Sequence, residues 1–166
     1  MNKILKEDEG VVVTLEGDLV RKQVKGLNHS RLSCRVEPEE MVDREIRALN
    51  LLDHVPGIQR FVRRISFDSF YSRYMEGNSL REYTDNLDGD YFGVLLGITQ
   101  QCHAAGVYRL GQNRLDFRVD PKGNPGIIDF GNVLFRDDPI AKIPGITFLA
   151  RQYGIVRIYD LHRRYS

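Results

Sequence analysis

A strand–turn–strand segment over residues 115–131 constrains this chain most, because it specifies a hairpin and places an acid near each end. The turn reads Asp120-Pro-Lys-Gly-Asn-Pro-Gly126, and these residue types favour tight turns. Asp116 precedes the turn and Asp129 follows it, each at the same distance from the centre at Lys122-Gly123. In a regular hairpin the two carboxylates would face each other, with Cβ atoms about 4.5–5.5 Å apart. Facing carboxylates repel, so the spacing predicts a divalent cation between them that also binds phosphate oxygens.

A plainer interpretation of this hairpin stays open. Asp-Pro and Gly-Asn-Pro-Gly are ordinary turn sequences, Asp-Phe-Gly is short enough to occur by chance, and Asp116 could be a solvated strand residue. The rest of the chain has to supply the context that separates the two interpretations.

Length and charge set broad limits on fold and function. A chain of 166 residues can bury one good core, either as one domain or as two small lobes. The formal net charge of +1 gives no general attraction to nucleic acid or membrane, and no DNA partner is indicated. Cys34 and Cys102 lack metal-ligand spacing, no signal peptide opens the chain, and no apolar run reaches the roughly 20 residues of a membrane span. These features favour a reduced, cytoplasmic protein.

Hydrophobic periodicity predicts a mostly β half followed by a mostly α half. The predicted elements are a hairpin over 11–25, a helix from Pro38 to the stop at Pro56, strands near 58–66 and 68–75, a short helix from Asn78, a helix from Asp90 to Ala105, the hairpin, and a helical stretch over 146–165 interrupted at Gly154. This order predicts an α+β fold with two lobes and a cleft between them.

Five segments in this order resemble the protein-kinase-like fold, most closely its small, bacterial, lipopolysaccharide-kinase or RIO-like branch. They are Val20-Arg21-Lys22, Glu45, Tyr74-Met-Glu-Gly-Asn-Ser-Leu80, Cys102-His-Ala-Ala-Gly-Val107 and Ile127-Ile-Asp-Phe-Gly131. The resemblance covers residues 11–131. It implies a minimal bilobal kinase-like fold in one structural unit, with a β-rich N-lobe over 1–75 and a reduced helical C-lobe over 76–166.

The resemblance also implies a site for ATP and Mg²⁺. A strand lysine of such folds contacts the α/β-phosphates and a helix glutamate holds it, which are the roles implied for Lys22 and Glu45. Met75 and Glu76 match the hinge between the lobes, beside the nucleotide. Lys25 remains an alternative to Lys22, and a solvated position stays open for Glu45.

The metal ligands follow from the same resemblance. Asp129 matches the family's metal-binding aspartate, and Asp116 falls where the family has a metal-binding asparagine. His103 is expected to be a structural, hydrogen-bonding residue.

Three departures from the family pattern bear on activity. Counting back five residues from Asp116 puts Gly111 at the catalytic aspartate position, so the carboxylate that accepts or orients the substrate proton is missing. The phosphate-covering loop would be Lys6-Glu-Asp-Glu-Gly10, whose three acids would repel a triphosphate. Only residues 132–166 follow Gly131, too few for a full activation segment and the helices that dock protein substrates.

These departures favour a kinase-like domain with impaired catalysis, a pseudokinase-like module that retains nucleotide or metal binding or binds a protein partner. Two alternatives stay open. One is an active, atypical Mg-ATP-dependent phosphotransferase acting on protein, lipopolysaccharide or a small molecule. The other is a metal-dependent hydrolase built on Asp116 and Asp129. The oligomeric state is not predicted.

The C-terminal segment from Arg151 is basic and carries Arg157, Arg163 and Arg164 as well. It is expected to be the solvated face of a helix that packs through Ile155, Ile158 and Leu161, although contact with an acidic membrane or RNA stays open.

Overall fold

The computed structural model describes residues 2–7, 10–26, 28–29, 35–83, 87, 89–109 and 113–165. Within these residues the chain is a mixed α+β structure. Its elements are β1 Lys3–Glu7, β2 Val11–Glu16, β3 Leu19–Val24, β4 Asn28–His29, β5 Arg35–Val36, α1 Pro38–Leu51, β6 Phe61–Ser66, β7 Ser69–Arg73, β8 Asn78–Ser79, α2 Gly89–Ala104, β9 Val107–Arg109, β10 Phe117–Val119, β11 Pro125–Ile127, β12 Val133–Phe135, a 3₁₀ turn Pro139–Lys142 and α3 Ile146–Tyr165.

The first half of the chain builds an antiparallel sheet in the strand order β1-β2-β3-β7-β6. The predicted hairpin over 11–25 is present, with Val11 opposite Val24 and a turn at Gly17, whose φ is +66°. Alternation along β3 places Val20, Lys22 and Val24 on the same face of the strand. Lys22 therefore shares its side of the sheet with two buried valines.

Helix α1 packs against this sheet and begins at Pro38, as predicted. Pro38 occupies the first turn, and Glu39 and Glu40 place negative charge at the positive end of the helix dipole. The buried face of α1 carries Glu45 among apolar neighbours. A buried carboxylate in such a position requires a charged partner.

Helices α2 and α3 pack together in the second half of the chain. Two small antiparallel sheets accompany them, β11-β10-β8 and β12-β9. One side of α2 is buried or half-buried, through Phe92, Leu95, Leu96, Thr99 and Cys102. One apolar core cluster spans both halves of the chain. It includes Val24 and Phe70 from the sheet and Leu95 and Ile158 from the helices.

The short helix predicted from Asn78 is absent from the described residues, because Asn78 and Ser79 form strand β8 instead. They pair with Val119 and Arg118, and the Leu80 amide donates to the Phe117 carbonyl at 2.8 Å. Gly77, at φ +120°, lets the chain approach β10 closely.

The predicted interruption of the last helix at Gly154 is also wrong, since α3 runs continuously from Ile146 to Tyr165. Gly154 is buried on the same face as Ala150, Ile158 and Leu161. A residue without a side chain suits a helix face that packs closely, and this packing outweighs the low helix propensity of glycine.

The basic C-terminal segment is a packed helix, as expected, but its outer face is not simply charged. Arg151, Arg163 and Arg164 are exposed. Beside them lie exposed apolar side chains, namely Phe148, Leu149, Tyr153, Val156 and Tyr159. Within the described residues, no helix combines the length and apolar character that crossing a bilayer requires.

The β10–β11 hairpin forms, but its register differs by one residue from the symmetric prediction. Phe117 pairs with Ile127, and the Ile128 amide donates to the carbonyl of Asp116 at 2.9 Å. Asp116 therefore lies opposite Ile128 rather than Asp129. The cause is the turn, which is centred on Lys122 because Asp120 pairs with Asn124 through a backbone bond of 2.9 Å.

Candidate functional site

Lys22 lies at the centre of a cluster of charged side chains. Its Nζ donates to Glu45 Oε2 at 2.7 Å and to Asp129 Oδ1 at 2.9 Å, and its side chain is 12% exposed. The predicted ion pair between Lys22 and Glu45 is thus confirmed as a contact. Lys25, the alternative lysine, instead pairs with Glu7 at 3.1 Å on the surface.

Glu45 reaches the cluster from the buried face of α1. Its side chain is 4% exposed, and its second oxygen, Oε1, accepts the backbone amide of Phe130 at 3.3 Å. One carboxylate therefore ties the helix to a lysine of the sheet and to the segment that follows β11. The solvated position left open for Glu45 is excluded.

Asp129 lies just after β11 in a left-handed backbone conformation, with φ +62°. Asp tolerates this region better than most residues, although such conformations still carry strain and often occur at functional sites. Lys22 Nζ and the Gly131 amide both donate to its Oδ1, the amide at 3.2 Å. The side chain remains 44% exposed. It is the most accessible carboxylate of the cluster.

The three charges of the cluster shift one another's pKa values. Burial alone would lower the pKa of Lys22, but Asp129 and Glu45 outweigh burial and raise it. Burial raises the pKa of Glu45 while Lys22 opposes the shift. Lys22 holds the pKa of Asp129 well below its usual range, against the effect of burial. Lys22 and Asp129 are therefore charged at neutral pH, with Asp129 aimed partly at solvent.

Asp116 makes a different set of contacts, all to neighbouring parts of the hairpin region. Its Oδ2 accepts Arg109 Nη2 at 3.2 Å and the Asn113 amide at 2.9 Å. Its side chain is 16% exposed. Burial raises the pKa of Asp116, Arg109 opposes that shift, and Asp129 adds to it through charge repulsion.

Arg109 was not among the residues predicted for the site. It ends β9 with 4% of its side chain exposed, and Nη2 also donates to the carbonyls of Ile128 at 3.1 Å and Asp129 at 2.9 Å. A basic residue at the end of the apolar run Val107-Tyr108 was the signal in the sequence. The positive charge expected beside the two aspartates is thus supplied, at Asp116, by a guanidinium.

Met75 and Glu76 lie in the connection between β7 and β8 and line a cavity of about 610 Å³. Its other walls come from α2, the β10–β11 turn and the loop at Pro56-Gly57. Lys22, Glu45, Asp116 and Asp129 do not line it. The structure therefore brings Lys22, Glu45 and Asp129 together, and it places the two predicted hinge residues at a separate cavity.

Several residues named from the sequence lie outside the described residues, namely Gly111, Asp8, Glu9 and Cys34. Of the three acids of the predicted phosphate-covering loop, Glu7 is described and is paired with Lys25. His103 is buried, as expected for a structural residue.

The geometry limits the chemistry that the site can support. Among the described residues, no group of three His, Cys, Asp or Glu side chains could enclose a metal ion. A cation bound at Asp129 would have to take most of its ligands from water or phosphate oxygens, as Mg²⁺ commonly does. A lysine fixed by two acids and an accessible carboxylate together suit a polyphosphate with its counter-ion.

Comparison with known proteins bears on the fold. No protein-family model matches the sequence, and no curated protein matches it. Among solved structures, the chain is similar to the Rio2 kinase of Chaetomium thermophilum, solved as an ADP/Mg²⁺-phosphoaspartate complex, with a TM-score of 0.68 and 12% identity. The match covers 98% of this chain and 54% of that one, so the chain spans about half the length of the kinase. The likeness gives this chain a minimal, bilobal, protein-kinase-like fold, with a β-rich N-lobe and a reduced helical C-lobe.

Proposed function

We propose that this domain is pseudokinase-like: it binds a magnesium nucleotide through Lys22 and Asp129 and transfers phosphate very slowly or not at all. The observation that carries the proposal is the contact of Lys22 Nζ with both Glu45 and Asp129, at 2.7 and 2.9 Å. A lysine of a sheet strand, a glutamate of the next helix and a later aspartate meet here from far apart in the sequence.

The residues present fit a nucleotide with its metal. Glu45 fixes Lys22 so that a compact positive charge is ready for the phosphates. Asp129 has the accessible carboxylate at which Mg²⁺ would bind. When bound, the metal would neutralise phosphate charge. The similar Rio2 kinase was solved with ADP and Mg²⁺, which adds support to this choice of ligands.

The hinge role of Met75 and Glu76 is part of the proposal, with the lobes divided between residues 75 and 76. The cavity beside these two residues leaves them accessible to a ligand or a partner. A protein partner, the cytoplasmic location and the bacterial branch remain predictions of the sequence.

Impaired catalysis is proposed from the loop sequence. Gly111 offers no carboxylate at the position where the family has its catalytic aspartate, and neither Leu110 nor Gln112 supplies a base. Asp8 and Glu9 would repel phosphate, whereas the charge of Glu7 is offset by Lys25.

Of the two alternatives, the metal-dependent hydrolase has less support. It requires both Asp116 and Asp129 as metal ligands, yet Asp116 is paired with Arg109 at 3.2 Å. The active phosphotransferase shares the site geometry of the main proposal and differs from it in turnover.

Nucleotide binding tests the main proposal. ADP or ATP with Mg²⁺ should raise the melting temperature, since ligand at a hundred times its Kd adds about 2.7 kcal/mol to the free energy of unfolding. Lys22→Met should abolish the binding of a fluorescent ADP analogue while circular dichroism reports a folded chain. Lys25→Met is the matched control, because Lys25 directly follows the strand that carries Lys22 but pairs with Glu7 at the surface.

The outcomes separate the three functions. No nucleotide-dependent shift at millimolar concentration would contradict the proposal and leave the hydrolase. Rapid transfer of labelled phosphate by the wild type, lost in Lys22→Met, would instead establish the active phosphotransferase.

A further inference from the structure

We infer that Arg109 takes the place of a second divalent cation at Asp116, so that the domain binds a single metal ion, at Asp129. Kinases of this fold hold two Mg²⁺ ions, one at each of the two corresponding positions. The inference rests on the proposed function, because it assumes that a metal nucleotide binds. It concerns how the two aspartates divide their roles.

The carboxylate of Asp116 is already used inside the protein. Its Oδ2 accepts both Arg109 Nη2 and the Asn113 amide, at 3.2 and 2.9 Å. The backbone of Asp116 is bonded as well, to the Asn113 carbonyl and the Ile128 amide, each at 2.9 Å. A metal that used Oδ2 would have to displace both donors, and the backbone bonds hold the carboxylate beside Arg109.

Arg109 cannot easily move aside for a metal ion. The guanidinium carbon lies 5.6 Å from the ring centre of Phe117 and 5.1 Å from that of Phe130, and both rings are fully buried. β9 pairs with β12, which fixes the backbone, with Arg109 opposite Val133. Nε and Nη1 have no hydrogen-bond partner among the described residues. The hydrogen bonds of this guanidinium to those residues all come from Nη2.

Charge also opposes a cation at Asp116. The charges of Asp116 and Arg109 cancel, and a divalent ion at this carboxylate would lie beside a guanidinium shielded from water. Like charges at such separations repel strongly where water is excluded. The two carbonyls that could assist a metal, those of Ile128 and Asp129, already accept from Arg109.

Asp129 differs in its exposure and in its cation, because Lys22 is shared between two carboxylates whereas Arg109, among the described residues, pairs with Asp116 alone. The Asp129 side chain is 44% exposed, against 16% for Asp116, and its donors Lys22 and the Gly131 amide contact Oδ1. Oδ2 is the oxygen that a metal could approach without displacing either donor. The open end of the β10–β11 hairpin therefore offers Asp129 for a metal and keeps Asp116 for Arg109.

The test counts metal ions directly. Mn²⁺ is titrated into the protein with saturating ADP and followed by electron paramagnetic resonance, with a protein-free ADP titration subtracted. We expect a single Mn²⁺ per chain and no spectral sign of coupling between two ions. Two coupled ions per chain would overturn the inference and leave the proposed function intact.

Two substitutions of matched shape identify the ligand. Asp129→Asn should weaken Mn²⁺ binding by more than about tenfold, since even changes behind a metal ligand cost tenfold or more. Asp116→Asn should leave the number of ions unchanged and weaken their affinity much less than Asp129→Asn does, because Asn keeps an oxygen that can accept from Asn113 and Arg109. Equal losses in both variants would contradict the inference.

A third variant tests Arg109 itself. Arg109→Gln removes the charge and should allow a second Mn²⁺ to bind at Asp116. A folded Arg109→Gln protein that still binds a single ion would overturn the inference that the Arg109 guanidinium takes the place of a second metal ion. If this variant does not fold, the two aspartate variants decide whether the metal binds at Asp129 alone. Absence of Mn²⁺ binding in the wild type would overturn both this inference and the proposed metal nucleotide.

Discussion

Lys22 is the residue on which the charge balance of the site depends. Lys22→Met leaves Glu45 buried without its cation, at 4% exposure of the carboxylate side chain. Removing one partner of a buried ion pair costs roughly 3–5 kcal/mol, so the variant should lose about that much at pH 7.5. Urea unfolding of the wild type and the variant measures the difference.

The pH dependence of the same variant follows from the pKa of Glu45. Burial raises that pKa and Lys22 opposes the shift, so losing Lys22 raises it further. A carboxylate with a raised folded pKa destabilises the protein as pH rises, and the loss should shrink between pH 7.5 and pH 5 as Glu45 gains a proton. Lys22→Met/Glu45→Leu is the control and should lose less than the single variant. A small loss of stability in Lys22→Met, equal at both pH values, would contradict the role of Lys22 as the partner that keeps buried Glu45 charged.

His103 gives a second prediction at this scale. Burial lowers its pKa to about 4, assisted by the positive charge of Arg151 on α3. Because the unfolded imidazole binds a proton near pH 6.5 and the folded one does not, stability should fall as pH drops from 6.5 to 4. The shift corresponds to roughly 3 kcal/mol at about 1.4 kcal/mol per pKa unit.

The measurement for His103 compares two acid unfolding curves. His103→Gln cannot titrate, so its stability should fall less steeply than that of the wild type over this pH range. Parallel curves for both proteins would show that His103 does not contribute to the loss of stability at low pH.

At the scale of elements, the close approach of the β7–β8 connection to β10 depends on Gly77. A Cβ there would overlap the Val119 carbonyl oxygen and lie 2.8 Å from its carbon, at φ +120°. Gly77→Ala should therefore cost ~3 kcal/mol or more, as strained backbone with steric overlap does. Gly17→Ala is the matched control: its φ is +66° with nothing within 4 Å, so it should cost only about 1–2 kcal/mol. Equal losses of stability in the two variants, measured by thermal unfolding, would show that the chain does not approach β10 closely at Gly77.

Local pattern predicted the elements well where periodicity and caps agree, as in α1 and the β2–β3 hairpin. It failed where tertiary contact decides the outcome. Asn78 and Ser79 form a strand because β10 offers backbone partners, and Gly154 stays helical because its face packs closely. The β10–β11 register shifted because Asp120 pairs with Asn124, a detail that spacing from the turn centre does not contain.

The same distinction explains the site. Lys22 and Glu45 could be paired in advance, because their types and order match a known family. The contact of Lys22 with Asp129 joins residues 107 positions apart and needed the fold. Arg109 was missed because the apolar run before it marks only its position, whereas its role depends on Asp116 and two carbonyls that the fold brings around one guanidinium.

At the scale of the whole molecule, the chain has a kinase-like fold and spans about half the length of the similar kinase. Outside the cluster, the outer face of α3 carries exposed apolar residues that include Phe148, Leu149 and Val156. The Lys22–Glu45–Asp129 cluster, on the proposed function, serves ligand binding more than turnover. Under the proposed function, turnover is the property in which this chain should differ most from an active kinase.

The wild type should transfer phosphate very slowly or not at all, and Gly111→Asp should be the change most able to restore transfer. Gly111 lies outside the described residues, so the prediction rests on the count of five residues back from Asp116. A positioned general base contributes about 10²–10⁴-fold, a gain that is measurable above a low background. Gly111→Asn is the matched control, because it adds a side chain of the same shape that cannot accept the proton.

The gain from Gly111→Asp should fall short of the full range for two reasons. Asp8 and Glu9 would still disfavour a triphosphate, and a single metal ion at Asp129 would leave less positive charge around the transferred group than two ions would. Autophosphorylation and ATP hydrolysis with Mg²⁺, measured for the wild type and both variants, test the prediction. Gains of equal size in Gly111→Asp and Gly111→Asn would show that the loop lacks something other than a base, whereas fast turnover by the wild type would overturn the pseudokinase-like proposal itself.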